Sequence, residues 1–127
     1  GIGKQSSPDK LPKIFYVNWF RRGDGGKFLW PGYGENSRIL KWAIERLEGS
    51  TDAIETPLGY APSPGSIDVD GLDVSAADLA AAVRVDVAEW QSELPLIDEW
   101  FKKIGTKLPS EMGVELEKLR SKVSSAN

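Results

Sequence analysis

The stretch from Asn18 to Asn36 combines the side chains best suited to hold a flat ring. Its nineteen residues include five aromatic residues and five glycines. Aromatic side chains offer π faces for stacking, glycine lets the backbone approach a ligand closely, and an amide can read a hydrogen-bonding edge. The composition of this stretch, here called the aromatic-glycine loop, favours a pocket for a planar ligand. A purine base is the natural candidate.

The chain lacks the residue types that most often act in catalysis. The 127 residues contain no histidine and no cysteine, so the usual general base, thiolate nucleophile and nitrogen or sulfur metal ligands are missing. Asp, Glu and Lys could still do acid-base work, but we do not expect complete catalysis within this segment. The chain begins with Gly1 and its only methionine is Met112. We therefore expect it to be a piece of a longer polypeptide.

Charge and hydropathy exclude two classes of partner. The formal charge is −3, with both signs interspersed, so no basic surface for a phosphate backbone is expected. No apolar run approaches the roughly 20 residues that span a bilayer. The sequence thus predicts neither nucleic acid nor membrane as a partner, and a cytoplasmic location.

Short elements surround the aromatic-glycine loop in the predicted structure. Residues 1–12 are predicted to be a loop, and the β-branched and aromatic residues at 13–20 predict a buried strand. Glycines after Arg22 allow a tight turn, and 27–30 could return as a second strand to make a hairpin. Apolar residues at helical spacing predict a helix over 37–48, with Asn36 or Ser37 as its cap and Gly49 as its end.

The second half of the chain is predicted to be mainly helical. A short strand is expected near 57–61, and the acidic stretch 67–73 lacks the spacing of a calcium loop. Capping boxes begin at Ser75 and Asp86. Two apolar stripes follow, at Val87, Trp90, Leu94, Ile97, Phe101 and Ile104, and at Met112, Leu116, Leu119 and Val123. The predicted class is α+β: short strands or a hairpin around the aromatic-glycine loop, then packed helices, as part of a larger α/β enzyme.

Several motifs closely resemble the C-terminal part of GTP-dependent phosphoenolpyruvate carboxykinase. The resemblance covers essentially the whole segment. The motifs that carry it are Leu11 to Phe20, Phe28 to Arg38, Leu40-Lys41-Trp42, Glu55 to Tyr60, Gly71-Leu72 and Glu93 to Ile97.

The resemblance implies a function and a set of site residues. The family converts oxaloacetate and GTP into phosphoenolpyruvate, GDP and carbon dioxide, a step of gluconeogenesis, with manganese and magnesium as metals. It implies that Phe20 and Tyr33 sandwich guanine, that Phe28 packs beside it, and that Asn36 bonds its edge. Gly34 and Glu35 complete the loop. Residues 1–127 would be the base-binding part, with 13–73 forming the guanine pocket and 74–127 a helical region.

The resemblance also implies what this segment lacks. The phosphate loop, the metal ligands, the reactive cysteine and the mobile lid of the family are expected upstream, as are the groups that handle oxaloacetate and phosphoenolpyruvate. The partner of this segment would thus be the remainder of the same enzyme, and the segment alone is expected to be inactive. Tyr33 stands where many relatives have phenylalanine, a change that should preserve stacking.

The same residues also allow other interpretations. The rings of the loop could be core aromatics, and Asn36 could be a helix N-cap as well as a base contact. Trp19 and Trp30 are expected to support packing. A different class of function is a stand-alone module that binds a proline-rich peptide or single-stranded nucleic acid, although the acidic balance disfavours it.

Overall fold

The computed structural model describes residues 7–126, in which four helices and one small sheet form. The expected α+β class is confirmed. The helices are α1 (Asn36–Glu48), α2 (Ala76–Val83), α3 (Val87–Ile104) and α4 (Ser110–Ser125), and the strands are β1 (Ala53–Thr56) and β2 (Gly59–Pro62). Residues 1–6, half of the predicted N-terminal loop, lie outside the described part.

The chain divides into two compact units. The first contains Gly1–Ala53 and Pro62–Ala82, and the second contains Ile54–Ala61 and Val83–Asn127. The aromatic-glycine loop and α1 belong to the first unit, whose buried apolar residues are Leu29, Trp30, Trp42 and Ile67. The first unit therefore positions the candidate site.

The prediction of a buried strand over 13–20 is wrong. Residues 12–18 form neither a helix nor a strand, and Trp19 and Phe20 form a turn. Ile14 and Tyr16 are each 91% exposed, whereas the ring of Phe15 meets the ring of Trp42 edge-on at 6.2 Å. Exposure therefore alternates along residues 14–17, and Phe15 is the side chain that packs on a ring of α1. A β-rich composition favours extended backbone, but a strand also needs a pairing partner.

A tight reversal follows, and it is shorter than the predicted hairpin. The Gly23 N–H donates to the Lys27 carbonyl at 2.9 Å, and the Leu29 N–H donates to the Arg21 carbonyl at 3.0 Å. The predicted return strand at 27–30 is reduced to one antiparallel bridge, between Arg22 and Phe28. This reversal brings the ring of Phe28 back toward Phe20.

Helix α1 confirms the predicted helix and extends it by one residue. Glu35 is its N-cap residue, so Asn36 lies inside the first turn and the prediction of Asn36 as the cap is wrong. Gly49 ends the helix with φ 74°, and its N–H donates to the Arg46 carbonyl. A residue with a Cβ would be strained at that angle. The helix thus begins directly at the end of the aromatic-glycine loop.

The small sheet is a hairpin whose first strand the sequence did not predict. Strand β2 overlaps the strand expected near 57–61, but Pro57 and Leu58 form the turn instead. The Thr56 hydroxyl donates to the Gly59 carbonyl at 2.7 Å and accepts from the Leu58 N–H at 3.3 Å. This side chain closes the turn, which accounts for a connection of only two residues.

Both predicted capping boxes begin helices. The Ser75 hydroxyl accepts from the Asp78 N–H at 3.0 Å ahead of α2, and the Asp86 carboxylate accepts from the Glu89 N–H at 3.2 Å ahead of α3. Such caps satisfy N–H groups that the first helical turn leaves unpaired. Local side-chain chemistry therefore sets where these helices begin.

Helices α3 and α4 pack together through the predicted apolar stripes. Leu94, Leu116 and Val123 are buried at their contact. The partly buried residues around them are Val87, Trp90, Ile97, Phe101 and Leu119. Ile104 and Met112, which the stripes also included, remain exposed. No helix within residues 7–126 is both long and apolar enough to cross a membrane.

Candidate functional site

The aromatic-glycine loop exposes three of its rings. The exposed fraction is 74% for Phe20, 45% for Phe28 and 93% for Tyr33. By contrast, Trp30 is 6% exposed and Trp19 is partly buried, as expected of packing residues. Within the first unit, the three exposed rings are thus not core aromatics. Most of the surface of Phe20 and Tyr33 is therefore open to solvent.

The structure brings Phe20 and Phe28 together. Their ring centroids lie 6.3 Å apart at an interplanar angle of 66°, an edge-on contact. The Arg22 guanidinium lies over the Phe28 ring, with its carbon 4.3 Å from the centroid. One face of Phe28 is therefore occupied by a cation and its neighbour is an aromatic ring. This arrangement makes Phe28 a support beside Phe20.

Tyr33 is presented separately from that pair. It opens a 3-10 turn, Tyr33–Glu35, and makes no ring contact with another described residue. Gly32 precedes the turn with φ 117°, an angle that favours glycine, and its carbonyl accepts from the Glu35 N–H at 3.1 Å. A Cβ built on Gly34 would meet nothing within 4 Å. The side of the turn at Gly34 is therefore open.

A buried tryptophan holds the amide at the end of the loop. The Trp30 indole N–H donates to the Asn36 Oδ1 atom at 3.0 Å. Asn36 is partly buried, and its backbone N–H donates to the Tyr33 carbonyl. Asn36 is thus held by one side-chain bond and one backbone bond. It lies close in sequence to Tyr33, the most exposed of the three rings.

The match to a protein-family model identifies the relatives of this chain. The model described as the phosphoenolpyruvate carboxykinase C-terminal P-loop domain matches residues 1–122. The chain belongs to the GTP-dependent phosphoenolpyruvate carboxykinase family. The resemblance seen in the sequence motifs is confirmed.

Individual members of the carboxykinase family are similar over almost all of the chain. The protein named phosphoenolpyruvate carboxykinase [GTP] from Paenarthrobacter aurescens is 52% identical over 122 residues, which are 96% of this chain. Proteins of the same name are 48% identical over 99% of the chain in Corynebacterium kroppenstedtii and 49% identical over 98% in Anaeromyxobacter dehalogenans. The chain spans about a fifth of the length of these curated relatives, 20% for the first and 21% for the last.

An ion-pair network joins the aromatic-glycine loop to the segment at 66–70. The Arg38 Nε atom lies 2.7 Å from the Glu35 carboxylate, and its Nη1 atom lies 3.3 Å from the Asp68 carboxylate. Lys41 adds a contact to Asp68 at 3.0 Å. Arg38 therefore connects Glu35, one of the predicted site residues, to a distant part of the first unit.

The network shifts the titration of its members. The hydrogen bond from Lys41, with that from the Asp70 N–H, lowers the pKa of Asp68 below its ordinary value. The bond to Glu35 raises the pKa of Arg38, and the bond to Asp68 raises that of Lys41. Each shift favours the charged form. All three side chains are partly exposed, so the network orients the loop more than it stabilises the fold.

We expect Asp68→Asn to lower the stability of the first unit at neutral pH, and we expect this deficit to become smaller in acid. Because the folded-state pKa of Asp68 is lowered, its stabilisation is present above its unfolded pKa and is lost as pH falls through the folded value. Urea unfolding at about pH 7 and about pH 3 measures the difference. Asp73→Asn is the control, since Asp73 forms no ion pair with a described residue. An equal deficit at both pH values would contradict the electrostatic role.

The structure gives two residues of this site contacts that the sequence did not predict. Trp30 was expected to support packing, but its indole also bonds Asn36. Arg38 was interpreted from the sequence as a solvated surface charge near the loop, but its guanidinium donates to the Glu35 carboxylate. One sequence feature pointed to the Trp30 contact, because a buried indole N–H needs a hydrogen-bond acceptor. Among residues 7–126, no group of three or more acidic, histidine or cysteine side chains is placed to hold a metal ion.

Proposed function

We propose that this chain is the guanine-binding part of a GTP-dependent phosphoenolpyruvate carboxykinase. The complete enzyme would convert oxaloacetate and GTP into phosphoenolpyruvate, GDP and carbon dioxide in the cytoplasm. The observation that carries the proposal is the set of exposed rings, Phe20, Phe28 and Tyr33, in the same loop as the anchored amide of Asn36, in a chain of this family. Its partners are then the nucleotide and the rest of the enzyme.

The proposed roles are those that the family resemblance implies for these positions, and the contacts of each group are compatible with them. Phe20 and Tyr33 stack on the two faces of guanine, Phe28 supports Phe20, and Asn36 bonds the edge of the base. Gly34 leaves room for the ligand, and Glu35 holds the turn through Arg38. Base recognition positions GTP, while other parts of the enzyme act on the phosphates and on oxaloacetate.

Divalent metals belong to other parts of the enzyme in this proposal. Manganese or magnesium would polarise the phosphoryl group and oxaloacetate. The carboxylates of residues 7–126 do not come together as a metal site, so these residues do not fit the role of metal holder. Its own contribution is to bind and orient the base.

A stand-alone module for a proline-rich peptide or single-stranded nucleic acid is the alternative. Exposed rings could stack on either ligand. The match to a carboxykinase family model over residues 1–122 favours the nucleotide instead.

Asn36→Ala in the complete enzyme tests the proposal. We expect the preference for GTP over ATP to fall by about 1–3 kcal/mol, because an edge-reading hydrogen bond is lost. The measurement is kcat/KM for phosphoenolpyruvate formation with each nucleotide. Ser37→Ala, at the exposed neighbouring position, is the control and should leave the preference unchanged. Equal losses with both nucleotides would show that Asn36 has only a structural role.

A further inference from the structure

The bond between Trp30 and Asn36 fixes the orientation of the Asn36 side-chain amide. An indole N–H can only donate, so it must face the amide oxygen and not the amide nitrogen. The structure has this arrangement, with Trp30 Nε1 donating to Asn36 Oδ1 at 3.0 Å. Because the oxygen and the NH2 group are on opposite branches of one planar amide, fixing the oxygen also fixes the NH2 group.

We propose that Trp30 is the positioning residue that sets base specificity, by presenting the Asn36 NH2 group to the 6-position of the purine. This inference rests on the proposed function. Guanine carries an oxygen acceptor at that position, and adenine carries an amino donor. The Asn36 NH2 group can donate to the guanine oxygen, but two donors would face each other with adenine. An amide rotated by half a turn would accept adenine instead, and the Trp30 bond opposes that rotation.

Both partners of the bond are held in place. Trp30 is buried, and the preceding residue, Leu29, is also buried and bonded through its N–H to the Arg21 carbonyl. Asn36 has helical backbone angles, φ −62° and ψ −25°, and its N–H bonds the Tyr33 carbonyl. Among the described residues, no acceptor bonds the Asn36 NH2 group. The donor that would meet the base is therefore fixed in direction and not already used.

Trp30→Phe in the complete enzyme removes the indole donor while retaining an aromatic ring. We expect the ratio of kcat/KM for GTP to that for ATP to fall about fivefold to tenfold, with GTP use reduced and ATP use raised. Trp42→Phe is the matched control. Trp42 is equally buried, and its indole donates to the Ser66 hydroxyl at 3.0 Å, away from Asn36. The control should leave the ratio unchanged even where it lowers stability.

Two further variants separate positioning from packing. If Trp30→Phe disrupts folding, the tryptophan analogue with sulfur in place of N–H, incorporated at position 30, keeps the ring volume without the donor. In an Asn36→Ala background, loss of the Trp30 donor should produce no further change in the ratio. Asn36→Asp retains an acceptor for Trp30 but has no NH2 group, so GTP and ITP, which share the 6-oxo group, should lose efficiency together.

The outcomes distinguish this inference from the function on which it rests. A ratio lowered by Asn36→Ala but unchanged by loss of the Trp30 donor would overturn the positioning role and leave guanine recognition intact. Equal losses with GTP and ATP after removal of the donor would also overturn it, since that pattern reflects structure alone. A parent enzyme with no preference for GTP over ATP would instead contradict the proposed function itself.

Discussion

Replacing both Phe20 and Tyr33 by alanine is expected to raise the GTP dissociation constant of the complete enzyme about thirtyfold or more. Stacking of a base on an aromatic ring contributes about 1–3 kcal/mol per ring, and 1.4 kcal/mol corresponds to a factor of ten. Phe20 and Tyr33 are among the more exposed rings of the chain, so little of their contribution goes to the core of the first unit. Their removal should therefore affect binding much more than folding.

Two control variants define this result. Tyr33→Phe keeps the ring and should be nearly silent. Tyr16→Ala removes an equally exposed ring outside the aromatic-glycine loop and should leave GTP affinity unchanged. Nucleotide titration with far-UV circular dichroism on each variant is the measurement. If the double variant bound GTP as tightly as the parent protein, the stacking role would be wrong.

The second large effect is expected in the second unit, where Leu94→Ala should reduce the free energy of unfolding by about 2–5 kcal/mol. Leu94 is 7% exposed and packs with Leu116 and Val123 between α3 and α4. Truncation removes buried methyl groups and leaves a cavity that the two helices can fill only in part. The loss should appear in urea unfolding followed by circular dichroism.

Leu96→Ala is the matched control on the same helix. Leu96 is 56% exposed, so the same truncation should change the unfolding free energy by only about 0.5 kcal/mol. Similar losses for the two variants would mean that the α3–α4 contact does not stabilise the second unit.

Elements determined by local chemistry were predictable from the sequence. The helices after Ser75 and Asp86 begin where a side-chain oxygen accepts an N–H from the first turn, and α1 ends at a glycine with positive φ. Each signal lies within a few residues of the boundary it sets. The stripe that includes Leu94 also needs only helical spacing to be recognised.

Features that depend on distant partners were not predictable in the same way. Residues 13–20 have strand composition, yet pairing depends on a partner that composition does not specify. Strand β1 is only four residues long, and it forms by pairing with β2. The bond between Trp30 and Asn36 depends on how the aromatic-glycine loop folds around the buried Trp30 indole. Sequence motifs indicated the residues proposed for the site, while the orientation of the Asn36 amide depends on the tertiary structure.

The unpaired segment at 13–17 has a practical consequence for work with the 127-residue chain. Its backbone makes no hydrogen bond to another described residue, and Ile14 and Tyr16 are exposed. Its free N–H and C=O groups offer hydrogen bonds to a second chain, as those of an exposed sheet edge do. Two copies of the chain could pair edge to edge here, and a lysine substitution at Tyr16 would place a charge in that contact. Concentration-dependent light scattering would report such self-association before any ligand is added.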